Sequence, residues 1–177
     1  GTIQTHMNRY DEAINYYLKA LQINPNDTAT LANIGQAYLK SDQAQKAVVS
    51  LYRAAELDNG NADRFNMLGQ AYLSAKMLPD AVEAFKRAIE LRSDRAVYHF
   101  NLGEAYRIAE MTEQARNEFD LALNGKVDTA DENFNRGRIY FRRGMYQEAI
   151  NTYHRSLWQY DTKYDKAQVH LTLGQTY

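Results

Sequence analysis

The sequence predicts an all-α fold, a right-handed α-solenoid of antiparallel helical hairpins. Three observations lead there. Gly1, Gly35, Gly69, Gly103 and Gly137 are evenly spaced, each thirty-four positions after the last. Small and aromatic residues keep fixed places around each of these glycines. No segment alternates apolar and polar residues long enough to be a strand. The columns agree independently. Tyr38, Tyr72, Tyr106 and Tyr140 follow the glycines by three places, and Ala13, Ala47, Ala81, Ala115 and Ala149 by twelve. Tyr17, Leu51, Phe85, Phe119 and Tyr153 follow by sixteen, and Ala20, Ala54, Ala88, Ala122 and Ser156 by nineteen. A fixed period of about 20–50 residues marks units that bury their apolar faces only by stacking on one another.

Taken in order, residues 1–27 read as the end of a first helix plus a whole second helix. Residues 28–61, 62–95, 96–129 and 130–163 read as four full repeats, and 164–177 as a lone first helix. Within a repeat, Ile34, Ala37 and Tyr38, then Ala47, Leu51 and Ala54, recur at the spacing of a buried helix face. Glycine and alanine let neighbouring helices approach, and the Tyr and Phe columns fill the space between. Asn26-Asp27, Asn59-Gly60-Asn61, Ser93-Asp94 and Asp128-Thr129 supply turns and N-caps before each first helix. Pro79 falls near the start of a second helix, where its missing N–H costs little. Gly174 comes three places later than the period requires, so the spacing lengthens around Gln159–Asp165. Val169, Leu171, Leu173 and Tyr177 make the final helix apolar where an array ordinarily ends in a polar cap. The chain is therefore expected to be a segment of a longer repeat protein, associating weakly through its ends.

These columns resemble the tetratricopeptide repeat, W-x-x-L-G-x-x-Y followed by A-x-x-x-F and P in a unit of about 34 residues. The likeness runs along the whole chain and is strongest at the small and aromatic places. Leu31, Phe65, His99, Asn133 and His170 hold the family's Trp place, and its Pro survives only as Pro25. Arg136 stands where Ile34, Leu68 and Leu102 stand elsewhere.

Composition removes several function classes. The 21 basic and 22 acidic residues leave a net charge of −1, which gives no global attraction to nucleic acid or anionic lipid. No apolar run reaches the roughly 18 residues that a membrane span needs, so no membrane insertion is expected. There is no cysteine, which excludes disulfides, thiol nucleophiles and cysteine zinc sites but leaves the compartment open. No phosphate-loop, nucleophile-elbow or zinc-protease motif occurs, so neither an enzyme nor a cofactor is expected. His99 and His170, two repeats apart, cannot share a metal ion and read as half-buried packing residues. Asp58-Asn59-Gly60-Asn61-Ala62-Asp63 lacks the closing glutamate of a calcium loop.

The resemblance implies that first helices line a concave groove, with the positions three and two before each glycine, and one, four and five after it, facing inward. This places Asn33, Gln36, Asn66, Gln70, Phe100, Asn101, Glu104, Phe134, Asn135, Arg138 and Arg142 in a peptide-binding wall. An asparagine amide carries a donor and an acceptor, so it can pair with an extended backbone whatever that peptide's side chains are. The alternative is that these asparagines bond the neighbouring hairpin. Arg138 and Arg142 are four apart and share a helix face. Their planar forks suit an acidic peptide or a free C-terminus. The alternative for Arg138 is an inter-repeat ion pair with Glu104. Residues 96–129 carry three basic and six acidic residues, and 130–163 six basic and four acidic, so these repeats are electrostatically matched. The family's carboxylate clamp needs Lys three before and Asn one after a glycine. Ala32 with Gln36, or Asn66 with Gln70, stand there, and that activity is not carried over. Trp158 replaces the polar Gln22, Glu56, Glu90 and Asn124, and the three-residue insertion is expected to cover it. The reading is a non-catalytic scaffold for a protein or peptide partner. The rivals are a structural array that docks through its ends, a helical-hairpin RNA reader, which the charge disfavours, and a regulatory segment of a larger enzyme.

Overall fold

The structure, a computed structural model, describes residues 2–125, 129–159 and 169–174, with side chains from residue 9 onward. It is a row of helices: α1 (Thr2–Ile23), α2 (Thr28–Lys40), α3 (Ala44–Leu57), α4 (Ala62–Ser74), α5 (Leu78–Leu91), α6 (Ala96–Ile108), α7 (Thr112–Asn124), α8 (Ala130–Arg142) and α9 (Tyr146–Gln159). A further helical segment covers 169–174, and no β-strand occurs among the described residues. The helices α2, α4, α6 and α8 begin at 28, 62, 96 and 130, at the constant interval of the glycine column.

Each hairpin closes the same way. Asp42, Lys76, Glu110 and Gly144 adopt φ of 60°, 62°, 59° and 73°. The next residue reaches back over the turn: the N–H groups of Gln43, Met77, Met111 and Met145 donate to the carbonyls of Tyr38, Tyr72, Tyr106 and Tyr140 at 2.8–3.0 Å. This left-handed closure satisfies carbonyls that a helix end leaves unpaired. The place equivalent to these turn residues near the N-terminus is Asn8, and there no turn forms. The chain runs through it as one 22-residue helix, α1, instead of the expected helix end plus second helix. A left-handed residue costs about 1–2 kcal/mol. The other hairpins offset that cost by packing a first helix on a second.

The N-caps follow the sequence in three of four places. Asp27 and Asn61 accept from the N–H groups of Thr30 and Asp63. Thr129 and Glu132 form a capping box at α8. At α6 the N-cap is Arg95, with no side-chain capping bond, so Ser93-Asp94 form the turn without capping the helix.

The core runs between the glycine and aromatic columns. A Cβ at Gly35 would meet the Leu51 side chain at 2.5 Å, and one at Gly103 would meet the Phe119 ring at 2.7 Å. Leu51, Phe85 and Tyr153 are fully buried, and Leu51 and Phe85 each contribute about 1.5–3 kcal/mol through the apolar surface they remove from water. First helices also touch one another, α2 with α4, α4 with α6 and α6 with α8, whereas no comparable packing joins successive second helices among the described residues. The first helices therefore crowd the inner wall of the stack and the second helices fan out behind.

Two expectations about the C-terminal end change. Val169 (0% exposed) and Leu173 (5%) do not form an open face. They pack on Ala149, Ile150 and Tyr153, and among the described apolar residues of that helix only Leu171 is open, at 68%. Trp158, expected to be covered, is 89% exposed. It sits on the outward face of α9, at the place where Gln22, Glu56, Glu90 and Asn124 are also exposed. Residues 160–165 of the insertion, Asp128, Gln175 and Tyr177 lie outside the described residues.

Candidate functional site

Along the inner wall, the positions two before and one and five after each glycine form a continuous stripe. Asn33, Gln36 and Lys40 are exposed on α2. Met67 and Gln70 on α4, Asn101 and Glu104 on α6, and Asn135 and Arg138 on α8 are half-buried. Ser74, Ile108 and Arg142 lie at the helix ends and are exposed. The column three before the glycine does not belong to this stripe. Ala32, Asn66 and Phe100 are 1%, 8% and 4% exposed. Phe134 is half-buried against Tyr153, with ring centroids 5.5 Å apart. This corrects the placing of Asn66 and Phe100 in the groove: on these crowded first helices that column turns into the hairpin interior.

Asn66 and Asn101 are nevertheless joined to the wall. The Asn101 Nδ2 donates to the Asn66 Oδ1 at 2.8 Å, from one repeat to the next. The amide of Asn135 makes no side-chain hydrogen bond among the described residues, nor do those of Asn33, Gln36 and Gln70. The asparagines thus divide into one pair that ties hairpins together and others whose amides remain open.

The charged centre is Glu104. Its side chain is 14% exposed and three guanidiniums converge on it: Arg107 at 3.2 Å, Arg138 at 3.6 Å, and Arg142 in close contact through both nitrogens. Burial pushes the Glu104 carboxyl up, but Arg142 and then Arg107 outweigh it and hold the group below its ordinary range. Arg138 also lies over the Phe100 ring, 5.2 Å from its centroid, a cation–π contact worth about 0.5–1 kcal/mol where exposed. Phe100 in turn packs on Phe119 at 5.9 Å. Buried Phe100 is the platform beneath the cluster and not a surface for a ligand. One carboxylate against three cations leaves the wall locally positive.

The other two arginines of this stretch, Arg136 on α8 and Arg143 at its C-cap, do other work. Arg136 donates to the Gly125 carbonyl at 3.0 Å, which explains a charged residue in a leucine column: it ties α8 to the preceding hairpin. Arg143 pairs with Asp120 at 2.7 Å. The residue that sequence reasoning missed is Arg107. Its signal was present, because Leu39, Leu73 and Phe141 hold that place in the other repeats.

The remaining polar oddities are structural. His99 is 7% exposed, between the Glu118 carboxylate at 2.7 Å and the Ser93 carbonyl at 3.1 Å. Asp58 accepts from Asn61 at 2.8 Å and faces Arg64 at 3.6 Å, and Asp63 accepts from the Tyr98 hydroxyl at 2.6 Å. The described residues contain no cluster of three metal-ligating side chains, and no described helix is long and apolar enough to cross a membrane.

Family models decide the lineage. A TPR repeat model matches residues 1–42 and 69–107, and two tetratricopeptide repeat models match 28–61 and 135–167. The chain belongs to the tetratricopeptide repeat family. No curated protein sequence matches this TPR chain. Among solved structures it is similar to MamA, with TM-score 0.64 and 26% identity over 85% of this chain and 88% of that one. It is also similar to TTC0263, a thermophilic TPR protein in Thermus thermophilus, with TM-score 0.76 and 20% identity over 98% and 93%. The third likeness is to the APC/C hetero-tetramer Cut9-Hcn1, with TM-score 0.74 and 20% identity, over 96% of this chain but 34% of that one. The last two likenesses speak to the fold alone. A TPR array of this kind is a protein–protein interaction scaffold, a fold typically without catalysis.

Proposed function

We propose that this TPR array holds an extended, acidic partner segment, or a free C-terminus, along the inner stripe of its first helices. The reading rests on the Glu104 cluster, where Arg107, Arg138 and Arg142 share one carboxylate. An incoming carboxylate satisfies the guanidinium donors that Glu104 cannot, in the bidentate geometry arginine favours. The open amides of Asn33, Gln36, Gln70 and Asn135 then pair with the peptide backbone on either side. Such pairing holds many sequences, while the arginines select the charge.

The test uses fluorescein-labelled decapeptides with an Asp-Glu-Asp C-terminus, a neutral one and a Lys-rich one, read by polarisation. The acidic peptide should bind best, and more weakly as salt rises. Arg138→Ala/Arg142→Ala should cost it about 1.5–3 kcal/mol, the worth of charge-assisted bonds. Asn135→Ala should weaken acidic and neutral peptides alike. A double variant that keeps acidic-peptide affinity while losing thermal stability makes these arginines inter-repeat ties and overturns the reading.

A further inference from the structure

The third repeat breaks a rule that the other repeats keep. Three columns at the hairpin tips are apolar in the first, second and fourth repeats: Leu39, Ala44 and Val48; Leu73, Leu78 and Val82; Phe141, Tyr146 and Ile150. In the second repeat they pack together around Phe85, and Phe141 and Tyr146 meet at 5.7 Å. In the third repeat the same columns hold Arg107, Thr112 and Arg116. There the tip is not filled. A cavity of about 650 Å³ opens between the third and fourth hairpins, lined by these three residues together with Phe119, Asp120 and Arg143.

Its chemistry is that of an anion site. Arg107, Arg116 and Arg143 face Glu113 and Asp120, and Asp120 is taken up by Arg143 at 2.7 Å. Arg116 forms no ion pair among the described residues. Arg107 belongs to both places, since it lines the cavity and pairs with Glu104 at 3.2 Å. Arg142 and Arg143 are chain neighbours that serve the groove and the cavity respectively. Three apolar residues that would close the tip have become two cations and a hydroxyl, beside the groove's own basic cluster.

We propose that this cavity is a second oxyanion subsite, which takes another acidic group of the partner segment whose first acidic group meets Arg138 and Arg142. The proposal rests on the acidic-peptide reading of the groove. The occupying group is an oxyanion that accepts from Arg116 and the Thr112 hydroxyl, either a carboxylate or a phosphorylated side chain of the same peptide.

The experiment compares a decapeptide carrying one Asp-Glu pair with the same peptide carrying a second Asp-Glu pair, and with one carrying a phosphoserine in place of the second pair. In the wild type the second anionic group should tighten binding about tenfold, as one charge-assisted bond does. Thr112→Leu/Arg116→Val installs the apolar residues of the second repeat. It should remove that increment, leave the one-pair peptide unchanged and raise the Tm. Whichever of the two anionic groups gives the larger increment identifies the occupant. No increment in the wild type, or an increment that survives in the double variant, overturns the proposal. If neither peptide binds the wild type, the groove reading falls, and the cavity is decided by titrating inorganic phosphate against the amide NMR signals of Thr112, Glu113 and Arg116. Shifts lost in the double variant support it, and no shift at millimolar phosphate sinks it.

Discussion

Gly69 lies against the ring of Phe85: a Cβ on Gly69 would stand 2.5 Å from its Cε1 and 2.6 Å from its Cδ1. Gly69 is on the first helix of its hairpin and Phe85, 0% exposed, is on the second. The ring is enclosed and cannot swing away. Gly69→Ala should therefore destabilise the protein by about 1–3 kcal/mol through overpacking, even though alanine is the better helix former. Urea unfolding gives the loss. Phe85→Leu in the Gly69→Ala background should restore part of it, and a double variant no better than Gly69→Ala alone would mean that the ring is not the obstacle.

The hairpin turns predict an asymmetry. Lys76 holds φ of 62°, a conformation that costs a side chain about 1–2 kcal/mol, whereas Gly144 takes 73° without that penalty. Lys76→Gly should raise stability by about 0.5 kcal/mol, since glycine's extra freedom in the unfolded chain offsets part of the gain. Gly144→Ala should lower it by about 1 kcal/mol. Both are read from thermal or urea unfolding, and a destabilising Lys76→Gly would contradict the strain argument.

Glu104 is the countercharge of the arginine cluster. Its carboxyl is held below the ordinary 4.5, so its contribution is present above that pH and is lost as pH falls through the lower, folded value. Glu104→Gln should remove this acid-range dependence and cost about 1–2 kcal/mol at neutral pH, a moderate loss because the arginines keep partial access to water. The same variant should bind acidic decapeptides more tightly than wild type, since the groove's positive charge is then uncompensated. Weaker binding would show that Glu104 orients the arginines for the ligand.

The buried His99 gives the opposite sign. Its bond to Glu118 raises its pKa above the ordinary 6.5, burial works against this, and the Ser93 carbonyl adds to the rise. The stabilisation is fully present below 6.5 and disappears as pH climbs through the raised, folded value. Tm should therefore fall on going from pH 6 toward pH 8, and Glu118→Gln should flatten that slope. A wild-type Tm that rises over this range would contradict the pairing.

The asparagine pair can be weighed directly. Asn66→Ala, Asn101→Ala and the double variant form a thermodynamic cycle across the 2.8 Å bond. A coupling of about 0.5–1.5 kcal/mol is expected. Zero coupling would mean that this bond does not tie the hairpins together, and would leave Asn101 alone as a candidate peptide contact.

Local periodicity alone determines the repeat, its length and its helical pairs, because the chain writes the same pattern several times over. Gly69 and Phe85 are sixteen places apart, as are Gly35 and Leu51 or Gly103 and Phe119, so their contact is legible as two columns. The caps Asp27, Asn61 and Thr129 recur in the same way ahead of their helices. Which of the alternative contacts between copies actually form emerges only from the packed molecule. Asn101 reaches Asn66 across 35 residues and Arg142 reaches Glu104 across 38, and no column states which way such side chains lean. Phe100 reads as an exposed aromatic until Phe119 and Arg138 are seen to enclose it. Arg107 and Arg116 stand in columns that are otherwise apolar, a break visible in the chain, but the cavity they leave open beside the groove appears only in the packed molecule. A repeated unit fixes the contacts within itself. The contacts between units depend on the packing angle of neighbouring hairpins, which is set by side chains from both and can be read only when the two are side by side.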